Sequence, residues 1–266
     1  MSSNEKTTEN SDVKTVEMAW LKGTYHFHTY AYRDPRSAFA SGIGLPVVSP
    51  TTVLLGMVSS LFSTGDSGGA QRLLDRAHEC EVLVDAPDGV IFFRAFHQLR
   101  RYNTEYEGKD KRKGINARYG LTTINQGTRE YGLVDGAITV YVGVPSELSG
   151  NSISALTNLR HLGTSDSLCS LIQPVSVGDR PDTMKLLYAP RRDFAKRILE
   201  QGLGTIGDSV TTVTLSTFNG AKPLKQTLRH WKMAGDSADT ELTPYVIAGS
   251  FEGTTRGRIY RKGRPR

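Results

Sequence analysis

The 266-residue sequence predicts an α+β chain. Its strands and helices fall in the order βαββαβ, with a long basic insertion after the third strand and a β-rich extension behind the last. Three observations predict this. Runs rich in β-branched and aromatic residues, each of strand length, alternate with two stretches of helical periodicity. Gly, Pro and Asp clusters punctuate them. Basic charge is gathered into two segments instead of being spread along the chain.

Residues 1–14 are poor in apolar side chains and rich in Ser, Thr, Asn and Glu, and read as a disordered leader. A strand follows over 17–32, then a loop bearing Gly and Pro over 34–48. Ser49 as N-cap and Pro50 at the first helical position open a helix over 51–62. Val53, Leu54, Met57, Val58 and Leu61 form its buried stripe. A second helical piece covers 70–78, after the glycine turn 65–69.

Strands over 81–86 and 90–99 are joined by Pro87-Asp88-Gly89. Beyond the basic insertion, strands over 131–134 and 137–144 flank Asp135-Gly136, a hairpin signal. A helix over 153–162 and a strand over 168–177 follow. Further on, 184–188 reads as a strand, 192–201 as a helix, and 210–218 and 245–251 as strands. The order is that of a ferredoxin-like (RRM-like) palm. The limits are a leader over 1–14 and a palm over 15–180, with a hairpin thumb inserted at about 98–128. The C-terminal β-rich extension covers 181–253 and a basic tail 254–266. Sheets of this kind carry single-stranded RNA across one face.

Between Arg94 and Arg118 stand eight basic and three acidic residues, a net of +5. From Thr254 to the end there are six basic residues and no acidic one, whereas the whole chain carries only +6. Charge focused in this way is the footprint of a polyanion partner. In the first segment the cations Arg94, Arg100, Arg101, Lys111, Arg112, Lys113 and Arg118 alternate with Phe96, Tyr102, Tyr106 and Tyr119. Cations neutralise phosphates and aromatic faces stack on bases. Gly108 and Gly114 bracket the densest cluster and set it at a hairpin tip. The tail reads either as a phosphate-binding arm or as a disordered basic end.

Enzyme signals are thin. Gly202-Leu203-Gly204-Thr205-Ile206-Gly207 spells GxGxxG, but a helix precedes it and a strand follows, the reverse of the dinucleotide order. It reads as a helix cap and turn. His26 and His28 alternate with Tyr30 on one face of the first strand, with no third ligand at metal spacing. Cys80 and Cys169 have no zinc spacing and read as buried reduced thiols. No metal or cofactor is called for. The polar, acidic N-terminus and the absence of a long apolar run predict a cytoplasmic chain without a membrane segment.

Three segments resemble one family. Leu45-Pro46 with Ser49-Pro50-Thr51-Thr52-Val53-Leu54-Leu55-Gly56-Met57 is similar to the loop-to-helix signature of the repeat-associated RNA-binding superfamily of CRISPR systems. Thr139-Val140-Tyr141-Val142, Pro145-Ser146-Glu147-Leu148 and the run from Leu159 to Cys169 resemble the strand, helix and LGxxxS/C turn of the fifth CRISPR-associated protein family, a Cascade subunit. The basic insertion lies where that family carries its thumb. The likeness covers roughly residues 17–177.

It implies a non-catalytic subunit of a type I CRISPR Cascade surveillance complex, clamping the 5′ handle of the crRNA. Its implied partners are the backbone subunit, the large subunit and, through the complex, target DNA. By position, Arg33, Thr51 and Thr52 face the handle. Arg94, Arg100, Arg101, Tyr102, Lys111, Arg112, Lys113, Arg118 and Tyr119 belong to the thumb, and Arg160 and Ser165 to the turn before the last palm strand. One branch of the family cuts precursor RNA with a Tyr and a Lys-His dyad, and this sequence lacks the dyad. Two alternatives remain. One is a metal-independent endoribonuclease using His26 or His28. The other is a generic RNA-binding module outside CRISPR.

Overall fold

The computed structural model describes residues 17–34, 41–101, 123–182, 189–190, 210–218, 240–254 and 257–263. The described elements are β1 (Met18–Phe27), β2 (Ser41–Gly42), α1 (Pro50–Ser63), α2 (Ser67–Asp75), β3 (Glu81–Asp85), β4 (Gly89–Arg101), β5 (Thr123–Asp135) and β6 (Ile138–Pro145). They continue with α3 (Ser149–Thr157), β7 (Cys169–Leu171), β8 (Ser176–Gly178), β9 (Ala189–Pro190), β10 (Val210–Phe218), β11 (Thr240–Ala248), β12 (Ser250–Thr254) and β13 (Gly257–Arg261).

The palm is an antiparallel sheet in the order β3-β6-β1-β7, with β8 also on β1. Numbering those four strands along the chain gives 2-3-1-4, the ferredoxin-like arrangement. Alternation sends Leu21, Tyr25 and Phe27 of β1 and Ile138, Val140, Val142 and Val144 of β6 into the core. The Tyr25 hydroxyl donates to the Leu156 carbonyl at 2.7 Å, tying β1 to α3. A buried phenol needs such a partner, and burial raises its pKa far above the usual range.

The α1 helix starts as its sequence dictates. Ser49 Oγ accepts from the Thr52 N–H at 3.2 Å, and Pro50 occupies the first turn. The anticipated stripe is buried in full. A Cβ on Gly56 would stand 3.2 Å from Leu159 Cδ1, so glycine lets the segment after α3 lie close. Thr51 Oγ1 donates to the Ser216 carbonyl at 3.1 Å, which fastens α1 to β10 of the C-terminal sheet β10-β11-β9. One continuous apolar cluster therefore runs from the palm through the helices to Val213, Leu215, Tyr245 and Ile247.

Two expected hairpins are absent. β3 pairs with β6, and β4 pairs with β5 over the full register from Gly89↔Asp135 to Arg101↔Thr123. Pro87-Asp88-Gly89 and Asp135-Gly136 are thus crossing points, where the chain leaves the palm sheet and returns to it. Gly136 supplies the required left-handed backbone at φ 82°, beside Asp88. The thumb is longer than its sequence signal, because its lower half is built from the very strands that had been paired into the palm.

Residues 257–261 are neither a free arm nor a disordered end. They form β13 in the sheet β12-β13-β4-β5-β2, against the root of the thumb. The expected strand over 168–177 is split into β7 and β8, and the expected helix over 153–162 begins earlier and ends at Thr157. The leader and the elements expected over 184–188 and 192–201 lie outside the described residues, as does the glycine run 202–207. Among the described residues no helix is long and apolar enough to cross a membrane. Cys169 is buried and Cys80 half-buried; desolvation pushes both thiols up to about 12.

Candidate nucleic-acid interface

The thumb is locked at its root by a buried carboxylate. Glu130 on β5 is 5% exposed. Its Oε2 accepts from the Gly44 N–H at 2.8 Å and from Arg258 Nη2 at 2.7 Å, while Arg94 Nε stands 3.7 Å from Oε1. Arg258 Nη2 also donates to the Gly44 carbonyl at 2.9 Å. Its guanidinium lies 5.2 Å from the Phe92 ring centroid and 5.0 Å from that of Phe251. Charge, hydrogen bonds and ring faces all meet one guanidinium, so the loop before α1, β13 and the thumb are held as a unit.

A second cluster sits where the thumb meets the exit of β1. Arg129 Nη1 donates to Asp166 Oδ2 at 3.1 Å, and the Tyr131 hydroxyl donates to the same oxygen at 3.4 Å. Tyr131 stacks on Phe93, its partner across the strands, with centroids 6.2 Å apart. Asp166 is delivered by a turn with a built-in glycine. Gly163 has φ 114°, and a Cβ there would stand 2.8 Å from the Ala31 carbonyl. Thr164 N donates to that carbonyl at 3.2 Å, and Ala31 N donates to Ser167 Oγ at 3.2 Å. The Leu162-Gly163 motif thus docks the turn onto residues 29–31, and Thr29 Oγ1 donates to the Asp166 carbonyl.

Arg33 belongs to this joint. Its backbone bridges Gly44, and a Cβ on Gly42 would meet its side chain at 2.2 Å. Its guanidinium is held below the usual range, first by burial and then by the like charge of Arg129. Arg33 and Arg129 stand beside an aromatic pair in which Phe93 is exposed and Tyr131 half-buried, an arrangement that can receive a phosphate and a neighbouring base.

The remaining expected residues fall into three groups. Arg94, Arg160 and Ser165 are exposed. Thr52 is half-buried with Oγ1 2.8 Å from Ser49 Oγ, and Tyr32 is hydrogen-bonded to both side chains. Thr51, placed by resemblance at the handle, is instead fully buried, with its hydroxyl on the Ser216 carbonyl. Arg100 and Arg101 are in β4, whereas Tyr102, Lys111, Arg112, Lys113, Arg118 and Tyr119 lie outside the described residues.

The tail's charge is partly internal. Arg258 serves Glu130, Lys262 Nζ donates to Asp85 Oδ1 at 2.6 Å, and Arg261 Nε is 3.8 Å from Glu252 Oε2. Tyr30 does not share a face with His26 and His28. The alternation ends with β1, and Tyr30 is buried, donating to the Leu45 carbonyl at 2.6 Å. Sequence reasoning missed Arg129 and Tyr131. Their period-2 alternation with Leu133 was the available signal. Among the described residues no group of three His, Cys, Asp or Glu side chains could hold a metal.

No protein-family model matches the chain, and no curated protein matches it. Among solved structures it is similar to a chain of the type III-B Cmr-beta complex bound to cognate target RNA. That match has a TM-score of 0.39 and 10% identity, covering 60% of each chain. It is also similar to a CRISPR protein from Archaeoglobus fulgidus (TM-score 0.38, 10% identity, 93% of each chain). A third match is a chain of a CRISPR RNA-guided surveillance complex (TM-score 0.36, 15% identity, 92% of this chain and 90% of that one). The chain spans about 60% of the length of the Cmr-beta chain it matches. At scores this low the likenesses carry no functional argument.

Proposed function

We propose that the chain binds single-stranded RNA as a non-catalytic subunit of a CRISPR ribonucleoprotein, and that in a type I Cascade it holds the 5′ handle of the crRNA. One observation carries the reading. A two-stranded thumb is inserted between the second and third strands of a ferredoxin-like palm, and the 21 residues that join β4 to β5 contain five Lys or Arg. The paired arginines and the Phe93–Tyr131 stack at the thumb's base add a place for a phosphate and a base. The sequence motifs that resemble the fifth CRISPR-associated family support the CRISPR reading.

The test is RNA binding across a salt series. Changing Lys111, Arg112 and Lys113 together to Glu is expected to weaken binding steeply. It also lowers the slope of log K against log salt by about 2, since each phosphate contact on a single strand contributes ~0.7. Reversing the basic residues of 191–197 has a much smaller effect. Equal effects from the two sets, or a complex that assembles without small RNA, would remove the proposal. Incubation with repeat RNA checks the non-catalytic part. A discrete product lost on His26→Ala or His28→Ala makes the chain a ribonuclease.

A further inference from the structure

The register of the palm places Trp20, Lys22, Thr24 and His26 of β1 on the sheet face opposite the helices, together with Gly143, Tyr141 and Thr139 of β6. Ser170 of β7, opposite His26, joins them, as do Glu81, Leu83 and Asp85 of β3. Lys22, His26 and His28 are exposed, while Thr24, Thr139, Tyr141 and Ser170 are half-buried. Trp20 and Leu83 are buried on the same face, so its accessible part is the polar, ring-bearing strip along β1, β6 and β7.

The side chains are arranged in rows. Lys22 Nζ is 5.9 Å from the Tyr141 ring centroid. Thr24 Oγ1 and Thr139 Oγ1 are 3.2 Å apart. His26 and His28 meet edge to face at 5.2 Å, and His28 Nε2 is 2.8 Å from Ser170 Oγ. Both carboxylates on this face are already neutralised. Glu81 is bridged by Arg180 at 2.5 Å and Asp85 by Lys262 at 2.6 Å, so Lys22 sets the local sign. Trp20 is excluded from use, because its ring fills the space left by Gly143 and Arg180 lies over it at 5.7 Å.

We infer that this open face is a second RNA contact, a stacking platform for two to three unpaired nucleotides, with bases on Tyr141 and His26 and a phosphate on Lys22. It rests on the RNA-binding reading above but uses a different surface from the thumb. The physical case has three parts. First, Tyr141 lies opposite Lys22, and His26 is four residues further along β1, about 13 Å at strand rise. That is the reach of a short oligonucleotide, not of one base. Second, a cation adjoining an aromatic face can hold a phosphate beside its own stacked base. Third, the paired threonine hydroxyls between the two rings offer both a donor and an acceptor, which suits a ribose 2′-OH.

The experiment uses the full chain and a fluorescein-labelled octauridine containing 4-thiouridine, read by anisotropy and by photo-crosslinking with peptide mapping. Tyr141→Ala and His26→Ala are each expected to weaken binding roughly 5- to 150-fold, the range for losing one stacked base. Tyr141→Phe keeps the ring and binds as the unsubstituted chain does. Lys22→Glu weakens binding from an exposed position where folding is not at stake. Crosslinks are expected in the peptides holding His26 or Tyr141, and they persist when Lys111, Arg112 and Lys113 are reversed. If the thumb reversal abolishes binding while Tyr141→Ala, His26→Ala and Lys22→Glu leave it intact, the platform is overturned and the thumb reading stands. If the palm variants lose binding and the thumb reversal does not, the platform stands and the clamp falls. A wild-type chain that neither binds nor crosslinks the probe removes both.

Discussion

Glu130 shows how one side chain decides what a neighbouring charge is for. A carboxylate at 5% exposure needs hydrogen-bonding partners in place of water, and it draws Arg258 from 128 residues along the chain, together with the Gly44 amide. Replacing it by Ala leaves the Arg258 guanidinium without its carboxylate between Phe92 and Phe251. The expected cost is about 1–3 kcal/mol of stability, because the Gly44 amide loses its acceptor and the half-buried guanidinium loses its carboxylate. Chemical denaturation checks it, and Glu130→Gln, which keeps an acceptor for Gly44, falls between. A loss no larger than that of a surface substitution would mean the cage does not hold the thumb. None of this was legible in the sequence, where Arg258 counted as one more cation of a basic tail. By contrast Ser49, Pro50 and the α1 stripe were legible, because capping and helical period are local.

Among the elements, the thumb and the turn before β7 have most to say. Turn chemistry in the sequence marked both Pro87-Asp88-Gly89 and Asp135-Gly136, yet a turn signal does not tell whether the strands on either side pair. Here they do not, since β3 has β6 as its partner and β4 has β5. The run from Leu159 to Cys169 carries the resemblance, and the structure supplies a physical reason for its turn. Gly163 at φ 114° lets the turn hydrogen-bond to Ala31 and carry Asp166 to Arg129 and Tyr131. Gly163→Ala meets the Ala31 carbonyl in a backbone conformation that alanine adopts at a cost of about 1–3 kcal/mol. The expected result is a lower melting temperature together with weaker RNA binding, because the Arg129–Asp166 joint shifts. Asp166→Ala separates the two effects by removing the joint while keeping the turn. If Gly163→Ala melts as the unsubstituted chain does, the turn is not the strained anchor described.

On the scale of the whole molecule, the chain closes on itself at the base of the thumb. β12 and β13 extend the sheet through β4, and beyond them Lys262 reaches back to Asp85 at the edge of the palm, its backbone N–H donating to the Asp88 carbonyl at 2.9 Å. Tyr260, fully buried, donates its hydroxyl to the Ala248 carbonyl and so pins the last strand to the end of β11. The root of the thumb is thereby held from both sides, by the loop before α1 and by the C-terminal strand. On the proposed function, such a brace makes RNA binding at the thumb depend on residues that touch no RNA. Removing 257–266 uncovers Phe92 and Val90 and leaves Glu130 without Arg258, whereas removing 264–266 takes away two arginines and leaves β13 in place. The longer truncation is expected to lower the melting temperature and to open the thumb to protease near its base; the shorter one leaves both unchanged. RNA affinity then discriminates a brace from a direct phosphate arm. If the shorter truncation weakens binding as much as the longer one while the fold stays intact, the tail acts on the nucleic acid by its charge, and the brace is not what couples it to the thumb.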